Sequence, residues 1–147
     1  GRVVIQTNAP GHRAIRLCTK HDYKTFYNLE IGDRLRTLFP PFAVFVRAQF
    51  ACADENAAAD AAERFANGVT KTILTALKPA NAENELVFAL AGAAPIRRRE
   101  GLFRYAVIIK LVRTANTAAA INAIYAFSDG CADECYRGIE VNPQDML

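Results

Sequence analysis

No apolar run in this chain approaches the ~20 residues that a membrane-spanning helix requires. The N-terminus carries no signal-peptide pattern, and the first residue is Gly1 rather than Met, so the sequence reads as a fragment or a processed product. Histidine is scarce: His12 and His21 stand alone in helical stretches, with no acid or nucleophile at a suggestive offset, and each reads as a surface residue. Cysteine is limited to Cys18, Cys52, Cys131 and Cys135. The Cys131–Cys135 spacing is not that of a zinc knuckle, and no second pair or His cluster accompanies it, which argues against a metal site. The chain is neither short nor loop-rich, so free thiols in a reducing cytoplasm are expected rather than disulfides. A glycine-rich phosphate loop is absent, and no dense set of nucleophile, base and metal ligands occurs anywhere. An enzyme in its own right is therefore the least favoured class.

What the chain does have is a concentration of positive charge. Net charge is only +3 over 147 residues, but it is unevenly placed. Residues 1–42 hold seven Lys/Arg against three Asp/Glu, and the remainder holds eleven against twelve. Within that remainder Arg97, Arg98, Arg99, Arg104, Lys110 and Arg113 are offset nearby by Glu100 alone. An anionic partner responds to such local clustering rather than to the total. The stretch Ala94–Lys110 reads as two strands joined by a tip bearing Arg97, Arg98 and Arg99, with Gly101 as the permissive backbone position. A basic hairpin with flanking aromatics suits a phosphate backbone and unstacked bases. The bland reading of the same residues is a solvated basic turn.

Hydrophobic periods order the rest. Arg2–Thr7 reads as a short buried strand centred on Val3-Val4-Ile5. A helix is expected from Asn8-Ala9-Pro10, and a second from near Asp22, using Phe26, Leu29, Leu35 and Leu38 until Pro40-Pro41 stops it. From residue 43 the alternation of Val44, Val46, Ala48, Phe50 and Cys52 with Phe45, Arg47 and Gln49 gives a half-buried strand. Asp54-Glu55 opens a long helix with Ala58, Ala62, Phe65, Val69, Ile73 and Leu77 on one side, and Arg64, Lys71 and Lys78 on a solvated flank. Leu86, Phe88 and Leu90 mark a strand, Leu102–Val112 another, Asn116 a cap for a helix carrying Ile121, Ile124 and Tyr125, and Ile139 and Val141 a last strand. That order predicts an α+β, split βαβ (ferredoxin-like βαββαβ) domain, a four-stranded antiparallel sheet with both helices on one face. The opposite face would carry Arg47, Gln49, Arg104 and Lys110 and be basic. The domains expected are 1–42, a strand-helix-helix piece of something larger, and 43–147. The strings Cys52-Ala53-Asp54-Glu55 and Cys131-Ala132-Asp133-Glu134 are identical, but they flank their helices differently and read as coincidence.

Four landmarks, in order, resemble the C-terminal region of the primosomal protein N-prime family, the PriA replication-restart DNA helicases. Gly1-Arg2-Val3-Val4-Ile5-Gln6-Thr7 resembles the strand after the last helicase motif. His21-Asp22-Tyr23, Phe26, Glu30, Arg34 or Arg36, and Phe39-Pro40-Pro41-Phe42 resemble a helix followed by a Pro-Pro element. Arg97–Lys110 resembles a basic strand pair, and Ile139-Glu140-Val141-Asn142-Pro143 the terminal strand, where an Asp commonly stands at the Asn142 position. The resemblance implies that residues 1–42 end the second helicase lobe and lead into a C-terminal domain. It implies an ATP-dependent 3′–5′ helicase acting at stalled forks in the bacterial cytoplasm, with ATP, Mg and Zn as cofactors of the full-length protein and none in this stretch. The implied partners are forked or single-stranded DNA, single-stranded DNA-binding protein and other primosome proteins, and the helicase lobes of the same chain, with no membrane. One departure is plain: where relatives carry a basic and a polar residue early on the last helix to grip an acidic tail, this chain has Thr117-Ala118-Ala119-Ala120-Ile121.

Two functional classes follow. The first is a non-catalytic DNA-binding accessory domain whose contacts are Arg97, Arg98, Arg99, Arg104, Lys110 and Arg47, with Phe103 and Tyr105 mainly in the core. The second is a protein-docking module in which the same arginines meet acidic residues. A split βαβ dimer binding a small ligand ranks below both.

Overall fold

Alternation along Ala43–Cys52 places Val46, Ala48 and Phe50 on one side of a strand, and those three side chains are at most 1% exposed. In the computed structural model, which describes residues 1–77 and 85–144, this is the first of four strands: β1 (Ala43–Cys52), β2 (Leu86–Arg99), β3 (Leu102–Val112) and β4 (Tyr136–Val141). The strand order is β2-β3-β1-β4 and every described pairing is antiparallel. With α3 (Glu55–Ala76) between β1 and β2, and α4 (Thr117–Asp129) between β3 and β4, the chain has the split βαβ architecture that its periods imply. Lys78, expected on the flank of the long helix, lies outside the described residues.

Both helices cover one face of the sheet. Ala61, Ala62, Phe65, Ala66, Val69 and Ile73 of α3, with Ala120 and Ile124 of α4, form one cluster with Val46, Ala48, Phe50, Val107, Ile109 and Leu111. Asp54 caps α3 by accepting from the Ala57 amide at 2.7 Å. The two helices approach at Gly68, where an added Cβ would stand 2.4 Å from the Phe127 ring. Asn116 holds the N-cap position of α4 but makes no capping bond. Its amide donates instead to Glu85 at 2.9 Å, while the Thr117 hydroxyl accepts from the Thr114 amide at 2.8 Å.

The contacts divide the chain into two units, Gly1–Phe39 and Pro40–Leu147. The first contains α1 (Arg13–Cys18) and α2 (Tyr23–Thr37). Residues 2–7 are not a buried strand: they pair with no described strand, and Val3 and Val4 are 86% and 83% exposed. A strand exists only through its ladder, and β-branched residues alone do not supply one. The first helix also begins later than Pro10. Ala9 and His12 close a turn through a 3.0 Å backbone bond, and His12 then caps α1 by accepting from Ala14. Asp22 caps α2 through the Thr25 amide at 3.1 Å. Leu38, at φ 51°, ends α2 before Pro40 is reached. Neither α1 nor α2 has a buried residue, and Ile15, Leu17 and Phe26 line an apolar groove of about 460 Å³. No helix among the described residues is long and apolar enough to cross a membrane.

Candidate nucleic-acid interface

The hairpin of β2 and β3 is longer on its first arm than its sequence indicates. Arg97, Arg98 and Arg99 are not in the turn but on β2, and the reversal is made by Glu100 and Gly101, at φ 54° and 82°. Two left-handed residues joining two strands form the tight primed turn that matches strand twist. Pro95 sits in β2, which is an edge strand, where the register shifts between Ala93 and Arg98. That is where a proline is tolerated in a sheet.

The shift sends the three arginines in different directions. Arg97 forms an ion pair with Glu55 in the first turn of α3, and the Tyr105 hydroxyl donates to the same carboxylate at 3.2 Å. Hydrogen bonding to Glu55 raises the Arg97 pKa further. Arg98 lies over the Phe103 ring, 5.0 Å from its centroid. Arg99 meets its neighbour Glu100 at 3.2 Å. The side chains of Arg97 and Arg99 keep 62% and 66% exposure. Such solvent-exposed pairs contribute little to stability, because water and salt screen them.

On the face away from the helices, β1 contributes Phe45, Arg47, Gln49 and Ala51, and β3 contributes Arg104, Ala106, Ile108 and Lys110, paired in register. The basic residues expected there are present but not equivalent. Lys110 is only 8% exposed, with its ammonium 5.4 Å from the Phe45 centroid and 5.8 Å from that of Phe88. Arg47 meets Glu140 of β4 at 2.9 Å across the strands. Arg104 is half-buried and has no side-chain hydrogen bond or ion pair among the described residues. A small cleft brings Arg104 together with Arg47, Gln49 and Arg137. Sequence reasoning missed Arg137, because β4 reaches its place beside β1 only through the fold.

The two cysteine strings also acquire distinct settings. Cys52, at the end of β1, takes a hydrogen bond from the Cys135 thiol and another from the Asp54 backbone, which lower its pKa. Burial, then donation to Cys52, pushes Cys135 up to about 12. Near pH 8 iodoacetamide is therefore expected to modify Cys52 well before Cys135, since the thiolate is the nucleophile. Peptide mapping of the alkylated protein over time checks this, and equal rates would contradict the assignment. No group of three or more His, Cys, Asp or Glu that could hold a metal occurs among the described residues.

No family model matches the chain. It is 29% identical over 124 residues to the replication restart protein PriA of Bacillus subtilis (strain 168), an alignment covering 84% of this chain and 14% of that protein. It is 36% identical over 84 residues to the replication restart protein PriA of Treponema pallidum (strain Nichols), covering 56% of this chain and 12% of that protein. The chain thus spans about one seventh or less of the length of these relatives. With its four ordered landmarks and its βαββαβ sheet, the chain is similar to PriA and has the character of a PriA-like C-terminal region.

Proposed function

We propose that this chain is the non-catalytic C-terminal DNA-binding and docking domain of an ATP-dependent replication-restart helicase that acts at stalled forks. The observation that carries the reading is the β2–β3 hairpin: Arg97 to Arg99 on one arm and Arg104 on the other, held by a two-residue turn. Guanidiniums on a stiff hairpin meet phosphates without reading bases, so binding is positional rather than sequence-specific. Similarity to two proteins named for replication restart supports the cellular role. ATP, Mg and Zn then belong to the remainder of the helicase, whose lobes the first unit would join. Single-stranded DNA-binding protein and other primosome proteins are the accompanying partners, in the bacterial cytoplasm.

A second reading has one observation in its favour. Arg47, Arg64, Arg97 and Arg99 already hold carboxylates, those of Glu140, Asp133, Glu55 and Glu100. Acidic protein segments could take their place. Fluorescence anisotropy of the purified chain with a labelled fork, a labelled single strand and a labelled acidic peptide separates the two. The expected result is binding of both DNAs, with unrelated sequences competing equally. Binding of the peptide alone would establish docking without DNA contact.

A further inference from the structure

The strongest unassigned feature is the cleft on the open sheet face that runs across the strands, from Ala94 and Pro95 of β2 to Arg137 of β4. Resting on the nucleic-acid reading above, we propose that it seats a single backbone phosphate of a nucleic-acid strand, held by Arg104 and Arg137 with Arg47 at its margin, and that it reads no base.

Charge and satisfaction lead to this. Arg47 is matched by Glu140. Arg137 is fixed by three neutral acceptors, the carbonyls of Glu134, Tyr136 and Ala51 at 2.6, 3.0 and 2.7 Å. Its orientation is set while its charge stays uncompensated. Arg104 is half-buried beside it, and its guanidinium donors have no described partner. A cation partly removed from water with open donors favours an anion that can take a bidentate fork. Two unmatched guanidiniums, one of them pre-oriented, cost little to order on binding.

Size and surroundings choose the anion. The cleft holds about 40 Å³, room for roughly three waters at the ~10–15 Å³ each needs. A tetrahedral phosphate group reaches into such a space, whereas a nucleobase does not enter it. Base recognition on an open four-stranded sheet depends on exposed aromatics of the central strands. Here Phe45, on the open face, is only 7% exposed, while Phe50 and Tyr105, partners in register, face the helices instead. A strand of phosphates is favoured over one carboxylate because the cations continue. Arg99, paired in register with Leu102, shares the face of Arg104 two positions further along β3. The row Arg137, Arg104, Arg99 crosses from β4 to the hairpin end, as a repeating polyanion requires.

The test is the affinity of Arg104→Ala and Arg104→Lys for two labelled probes, a mixed-sequence single strand and an abasic strand of equal length. Circular dichroism confirms folding, and Arg104, having no side-chain partner to lose, is the least disruptive site to change. Arg104→Ala is expected to weaken both probes by the same factor, about 3- to 10-fold at low salt, and to reduce the salt slope by about 0.7. Arg104→Lys, which keeps the charge but not the fork, should recover part of the affinity. Wild-type binding of the mixed strand but not the abasic one would overturn the proposal in favour of base readout. Unchanged binding by Arg104→Ala, with loss on substituting Arg97 to Arg99, would show the cleft idle while leaving the DNA reading intact. In a parallel titration with the labelled acidic peptide, loss of peptide binding by Arg104→Ala with both DNA affinities unchanged would overturn the proposal and make the cleft a carboxylate seat. A wild-type chain that binds neither strand would remove the DNA reading itself.

Discussion

Truncating Phe65 to alanine is expected to destabilise the sheet domain by about 3–5 kcal/mol, the usual cost of emptying a buried aromatic site. Phe65 is 3% exposed, and its ring lies 5.4 Å from Phe50 of β1, 5.1 Å from Phe127 of α4 and 5.6 Å from Tyr136 of β4. One side chain thus joins four elements, so the cavity cannot close by moving any single neighbour. Since a domain is held by only about 5–15 kcal/mol in total, most of the margin would be lost. Urea unfolding followed by circular dichroism measures it. A loss below about 1 kcal/mol would mean that the aromatic cluster is not the centre of the core.

Replacing Arg97, Arg98 and Arg99 together with alanine is expected to lower DNA affinity about 100-fold at about 0.1 M salt, nearly equally for all sequences. Each phosphate contact given up removes roughly 0.9 from the slope of log affinity against log salt on duplex DNA, so the slope should fall by about 2 to 3. The fold should survive, because the ion pairs lost are exposed and screened by water. Glu55 also keeps the Tyr105 hydroxyl as a donor. Isothermal titration across a salt series reads both effects. Unchanged affinity and slope in a folded variant would reduce the arginine row to a solvated edge or a docking site.

The architecture of the sheet unit was legible because its elements carry clean periods. Alternation in Val44–Cys52 and the three-to-four spacing of Ala58, Ala62, Phe65, Val69 and Ile73 cannot be exchanged without exposing the core. The Asp22 and Asp54 caps were equally local signals. What was hidden is what depends on register and distance. Pro95 reads as punctuation, yet on an edge strand with a register shift it leaves β2 intact as far as Arg99. Lys110 reads as an open-face cation, yet Phe45 and Phe88, from the two flanking strands, close over it. Arg137 carries no pattern at all and becomes part of the cleft only when β4 settles beside β1. The expected strand at Arg2–Thr7 fails for a related reason, since strand propensity is local while a ladder partner is not.

The most direct measurement of the central claim is the salt dependence of affinity between the intact chain and a forked duplex. If the hairpin arginines and the open-face cleft grip the phosphate backbone, log affinity should fall linearly with log salt, with a slope of about −3 to −4. The slope should be the same for forks of unrelated sequence. A slope near zero, or no binding at low salt, would contradict the account.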